Sequence, residues 1–298
     1  MGPVIVVGDL VTDVLVEHDG PIRPGSDTAA AIRVSGGGQA ANTAAWLAHA
    51  GRAATLVAAV GDDQAGRDRV AELAAAGVGD AIQVCPGAAT GSVVVLTGAG
   101  ERTMITDRGA CLLLDPGHVT AVLTAAAPGG HLHLSGYPLL HAGSRPAGRA
   151  ALTAARDFGL TVSVDAASAA PLRDAGAGDF LAWVRDVDLL LCNADEADVL
   201  AGPGDATSQA THLTGFVQHA VVKQGAGGAV WAARDGATWS APATPVRVLD
   251  PTGAGDAFAA GLLGAWLTGA EPPDALAAGA ALGAAAVQRL GARPHPAG

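Results

Sequence analysis

The chain has 298 residues, 50% of them hydrophobic, with 17 Lys and Arg against 28 Asp and Glu and a net charge of −11. That length predicts one large α/β domain or two small ones with a substantial core, and with only 3% aromatic residues Ala, Val and Leu must fill it. The acidic balance and a single lysine, Lys223, argue against nucleic-acid binding, which needs clustered Lys and Arg, and no basic amphipathic stretch suggests a membrane surface.

Val4–Val7 is an apolar run ending at Gly8-Asp9, the pattern of a buried parallel strand. Residues 11–35 mix Val-rich stretches with Gly and Pro and predict short twisted strands, set apart from the main sheet. Gly36-Gly37-Gly38 leads into a helix over Ala40–Ala50, closed by Gly51. A strand at Thr55–Val60 and a helix at Gln64–Ala76 follow, and Ser92–Thr97 and Arg102–Thr106 flank a hairpin at Gly98-Ala-Gly-Glu101. From His131 the alternation is regular. Strands are predicted at His131–Ser135, Thr161–Asp165, Leu189–Cys192, Ala220–Lys223 and Ala229–Ala232, with helices over 144–158, 179–185, 194–201 and 206–215 between them. Two Ala-rich helices, about 254–268 and 272–290, close the pattern, and Arg293–Gly298 is expected to fray. Strand–helix alternation on this scale predicts a doubly wound, mostly parallel central sheet flanked by helices. Cys85, Cys111 and Cys192 have no paired spacing, the N-terminus enters a strand without a signal-peptide pattern, and no apolar run has transmembrane length. A soluble, reducing, cytoplasmic setting is expected.

In such sheets ligands bind beyond the carboxyl ends of the strands, where Asp9, Ser135, Asp165, Asn193 and Lys223 fall. Asp250-Pro-Thr-Gly-Ala-Gly-Asp256 is the most informative stretch. A small-residue turn before an apolar helix presents bare N–H groups at the positive end of the helix dipole, a site for phosphate. A carboxylate inside that site, Asp256, would repel the phosphate unless it has a task, such as taking a proton from an attacking hydroxyl; the plain alternative is an acidic first turn. Gly36-Gly37-Gly38 before Asn42 suits close ligand approach with an amide for sugar hydroxyls, or else a loop and helix start; Gly36-x-Gly38-x-x-Ala41 also matches a dinucleotide fingerprint, although the first strand ends elsewhere. Asn193-Ala-Asp-Glu196 is a capping box or a holder of water around Mg²⁺. Lys223-Gln-Gly225-Ala-Gly227-Gly228 is a tight turn or a bed for a nucleotide. Asp13 could accept from sugar hydroxyls, and Arg108 could recognise a carboxylate or phosphate; surface pairing is the alternative for each. His131 and His133 share a strand face without a third metal ligand and read as structural.

Taken in order and spacing, Gly37 to Asn42, Asn193 to Glu196, the turn near Gly225 and Asp250 to Asp256 resemble the ribokinase-like (PfkB) carbohydrate kinases over essentially the whole chain. The resemblance implies one kinase domain with a small β-sheet lid from strands about 11–35 and 90–107, and a homodimer through the lid. It implies transfer of the γ-phosphoryl of ATP with Asp256 as general base and Gly253, Ala254, Gly255 and Asp256 as the anion hole. It places Asn193 and Glu196 at Mg²⁺-bound water and phosphate, and Asp13, Gly37, Gly38 and Asn42 at the substrate. Gly225 and Gly227 fall at the nucleotide, and Asp250 and Thr252 at a monovalent cation, usually K⁺. Gln39, Cys111 and Lys223 depart from residues common in the family, Lys, Asn and Thr or Ser, which blurs the substrate. A free sugar or sugar acid ranks first, with Arg108 suited to a carboxylate. A nucleoside ranks second, for want of aromatic residues to stack on, and a phosphosugar third. A nicotinamide-dependent dehydrogenase and an inactive sugar-binding regulator stand as readings of other classes.

Overall fold

A computed structural model describes residues 2–98, 101–126 and 129–294, with the backbone alone for Glu101, Arg102 and Ala126. The larger of two sheets contains β1 (Val4–Val7), β4 (Ala54–Gly61), β5 (Gly79–Cys85), β8 (His131–Ser135), β9 (Thr161–Asp165), β10 (Leu189–Asn193), β11 (His219–Lys223), β12 (Ala229–Ala233) and β13 (Thr238–Ala241). Their order is β13-β12-β11-β10-β9-β8-β1-β4-β5. Pairing is parallel from β5 to β11, and β12 and β13 add antiparallel. The parallel strands are apolar on both faces because helices cover both. One apolar layer joins β1, β8 and β10 to the helices Arg145–Asp157 and Ala194–Ala201. The other packs Gln39–His49, Ala254–Trp266 and Pro272–Val287 on the opposite face. Ala and Gly let the last two helices approach closely, with Gly261 against Ala278 O and Gly279 against the Phe258 ring.

The smaller sheet has the order β3-β2-β6-β7, from β2 (Val11–His18), β3 (Ala30–Gly37), β6 (Ser92–Gly98) and β7 (Glu101–Asp107). Register places Val34, Val14, Val94 and Ile105 side by side on one face. The other face carries Val11, Asp13, Val93 and Val95, with the three valines packed on Cys111 of the body. The tip of the β6–β7 hairpin, Ala99-Gly100, lies outside the described residues, as do residues 295–298 of the expected tail.

Several elements differ from the sequence-based expectation. β5 and β13 are edge strands with exposed positions, so neither shows the apolar run of a buried strand. The helix Pro116–Ala126 starts at Asp115-Pro116, and His118 N donates to Asp115 Oδ2 at 2.7 Å, an N-cap that was readable. The helix expected over 179–185 runs Ala177–Trp183, and an unexpected short helix, Ala169–Ala175, precedes it, the two divided at Gly176 with φ 93°. All three cysteines are buried free thiols. Among the described residues no helix is long and apolar enough to cross a membrane.

Candidate active site

The loop before the helix Ala254–Trp266 is held by one carboxylate. Asp250 Oδ1 accepts from Thr252 N and Oδ2 from Gly291 N, each at 2.9 Å, which ties it to the segment after the last helix. Gly253 then turns with φ 75°, a left-handed value, against Ala292 O, where any Cβ would collide. Ala254, Gly255 and Asp256 form the first helical turn, and no side chain caps it. Ala254 N donates to Pro251 O at 3.3 Å, and the turn lines the cleft with the positive end of the helix dipole behind it.

Asp256 meets a second helix there. Asn42, from the helix Gln39–His49, donates Nδ2 to Asp256 Oδ2 at 2.8 Å. That helix begins at Gly38, whose φ of 101° lets the backbone lie directly on Asp9 O. Asp13 projects from β2 against Gly37, where a methyl group would overlap its carboxylate. So Asp13 lies on Gly37, Gly38 starts the helix that carries Asn42, and Asn42 reaches Asp256. Arg108 is placed differently. Its Nη1 donates to Asp9 Oδ2 at 3.3 Å and its guanidinium lies 3.8 Å over the Tyr137 ring, while Asp9 Oδ1 accepts from Ala40 N. It is buried beside the first turn of the Asn42 helix and has no hydrogen-bond partner at Nε.

On the other side of Asp256 a cleft of about 630 Å³ runs along the carboxyl ends of the sheet. Lys223, Gly225 and Gly228 line one wall, and small residues of the last helix, Ala280, Gly283 and Ala284, line the other. Gly227 belongs to the same turn (Gly225–Gly227) without lining the cleft. Parallel register sets Asn193 beside Lys223 and Ser135 beside Asp165. Lys223 Nζ pairs with Asp165 Oδ2 at 2.6 Å, and Gln39 bridges Asp165 Oδ1 and Ser135 Oγ. Ala167, at φ 74°, brings its N–H to the same carboxylate. Asn193 and Glu196 form the capping box, and Asn193 Nδ2 also donates to Glu196 Oε1 at 2.7 Å.

Burial dominates the electrostatics. It pushes Asp256 up to about 8 against the hydrogen bond from Asn42, and the charge of Asp165 adds to the rise. It likewise pushes Glu196 up to about 7, with Asp165 adding and Lys223 opposing. Burial alone would lower Lys223, but Asp165 and Glu196 more than offset it and the ammonium stays charged. His131 and His133 are buried and hydrogen-bonded to Thr161 and Ser163, and burial pushes them down to about 3 and 4.

One rival reading falls and one expectation needs correction. Gly36–Gly38 leave β3 of the small sheet, so the turn does not follow a central strand as a dinucleotide fingerprint requires. Arg293 is not part of a frayed tail. Its Nε donates to Asn42 Oδ1 at 3.1 Å and its Nη2 to Gly37 O at 2.7 Å, while Trp46 Nε1 anchors Ala292 O at 2.9 Å. These partners lie some 250 residues away in sequence, so composition near the terminus carries no sign of them. The Gln39–Asp165–Lys223 chain was also missed. Asp165 and Lys223 stood at strand ends and Gln39 at a helix start, which signals a site but not which neighbours pair.

A family model described as pfkB family carbohydrate kinase matches residues 1–297. The chain is 31% identical to an ATP-dependent ribose-1-phosphate kinase of Halopiger xanaduensis, over 98% of this chain and 94% of the relative. It is 32% identical to a fructokinase of Klebsiella pneumoniae, over 93% and 88%. An E. coli protein described as Ribokinase II, solved with ATP and Mg²⁺, superposes with a TM-score of 0.83 at 25% identity, covering 98% of this chain and 94% of that one.

Proposed function

Because the chain belongs to the pfkB family of carbohydrate kinases, we propose that it moves the γ-phosphoryl of ATP to a hydroxyl of a small sugar or sugar acid, with Asp256 as general base. The observation that carries this is the position of Asp256, in the uncapped first turn of a helix, hydrogen-bonded to Asn42 and lining a long cleft. The acceptor oxygen attacks the γ-phosphorus, its proton passes to Asp256, and the bond to ADP breaks. The transition state is loose, so position and charge matter more than a strong base. The N–H groups of the Gly253–Asp256 turn stabilise charge on the transferred group. Lys223, next to Gly255, adds a cation there once the phosphates compete with Asp165 for it. Gly225 and its turn support the nucleotide from below.

Mg²⁺, bound with ATP, neutralises phosphate charge. Among the described residues no three His, Cys, Asp or Glu side chains group to hold a metal alone. Asn193 and Glu196 offer hard oxygen donors on the cleft wall, which fits an ion held mainly by phosphates and water. Asp250 and Thr252 are the positions assigned to K⁺ in this reading.

The acceptor space carries Asp13 and Asn42 for vicinal hydroxyls. Arg108 Nε, buried without a partner, suits an acceptor anion. The similarity to a ribose-1-phosphate kinase adds sugar phosphates to the acceptors worth testing, and a nucleoside remains second. The protein is incubated with ATP, Mg²⁺ and K⁺ or Na⁺ and each class of acceptor, and ADP release is followed. One acceptor should stand out, and Asp256→Asn should lower kcat by about 10²–10⁴. Normal turnover in that variant would remove the assignment. The outward face of the small sheet exposes Ile32, Val34 and Ile105, which supports a lid-to-lid homodimer.

A further inference from the structure

An asparagine amide has two ends of nearly equal shape, and its partners decide which faces where. Asn42 has Asp256 on one side and Arg293 on the other. Arg293 can only donate, so its Nε fixes Oδ1 as the end it meets, and Nδ2 is left to face Asp256. We propose that Arg293 is a positioning residue for phosphoryl transfer, locking the Asn42 amide so that Asp256 and the acceptor hydroxyl meet in one arrangement. The proposal rests on Asp256 being the base.

Arg293 is itself held at two further points. Nη2 donates to Gly37 O, and Nη1 lies 3.5 Å from Glu72 Oε2. Glu72 is braced by Arg69, which also donates to Ser35 O of the small sheet. Asp13 and Asp9 add negative charge nearby. Burial lowers the guanidinium to about 10, which leaves it charged at neutral pH. Nε and Nη2 donate to protein groups, while the buried Nη1 faces Glu72 as an ion pair without a hydrogen bond, so Arg293 acts on the site through Asn42. The same packing explains Gly36: a methyl there would overlap Arg293 Nη1 and Glu72 Oε2, both ends of flexible side chains. Gly36→Ala therefore displaces Arg293 without removing its charge, and the obstruction is cheap enough for the fold to survive.

The test compares wild type, Arg293→Met, Arg293→Lys and Gly36→Ala with the acceptor the panel identifies. Kinetics are joined to thermal melting and to NMR exchange of the Asn42 side-chain amide. Arg293→Met and Gly36→Ala should lower kcat about tenfold to a hundredfold with KM for ATP unchanged. They should also lose protection of the Asn42 amide without a matching loss of Tm. Arg293→Lys, which keeps one donor, should recover part of the rate. Wild-type kcat in both variants, or an amide as protected as in wild type, would overturn the proposal. So would losses that follow Tm in every variant. A wild type without turnover on any acceptor would instead remove the kinase mechanism, and the amide signal would still decide what Arg293 does.

Discussion

Asp256 is a carboxylate kept where its charge is disfavoured, and this governs how the protein should respond to pH. A base works only when deprotonated, so kcat/KM for the acceptor should rise with pH through about 8 in the free protein. The stability effect has the opposite sense. A carboxyl whose folded value lies above its unfolded one costs stability as pH rises from about 4 to about 8. Asp256→Asn should therefore raise Tm at pH 8 and leave it unchanged near pH 4, which calorimetry at the two pH values would check. Lys223 presents the reverse case. Lys223→Met leaves Asp165 buried without its cation and should cost about 3–5 kcal/mol in urea titration, with a raised KM for ATP. Pairing that change with Asp165→Asn should recover part of the stability. The sequence singled out Asp256 as the candidate base, since a carboxylate inside an anion-binding turn is anomalous in itself. It did not show Lys223 bound to Asp165, because no local pattern pairs the ends of separate strands.

At the scale of elements, the helix Ala254–Trp266 matters most for how it begins. Gly253 must adopt a left-handed φ and must also clear Ala292 O. Gly253→Ala should cost about 1–2 kcal/mol for the backbone conformation, with the collision adding to it. Because the turn carries the N–H groups offered to phosphate, kcat should fall further than stability accounts for. Kinetics below the melting range would separate the two. Buried parallel strands were legible because both their faces are apolar. The edge strands β5 and β13 were not, since half their surface meets water and their composition resembles loop. The helix Pro116–Ala126 was overlooked although Asp115-Pro116 marks its start.

For the molecule as a whole, the two sheets divide the work: the large one gathers strand ends around the cleft, and the small one brings Asp13 and Gly37 up to the start of the Asn42 helix. Its outer face, with Ile32 64% and Val34 63% exposed beside Ile105, is the surface predicted to bury a second copy. Val34→Lys should convert a dimer to a monomer in sedimentation velocity; a wild-type monomer would remove this expectation. From its own residues the chain determined the alternating α/β order, the phosphate turn with its carboxylate, and the glycines before Asn42, because each depends on neighbours within a few positions. Only the tertiary structure decided that Arg108 lies on Asp9 and Tyr137, that Asp250 clamps Gly291, and that Arg293 reaches across to Asn42. Those contacts join residues tens to hundreds of positions apart, and their geometry comes from how the sheet twists and the helices pack, which no local spacing encodes.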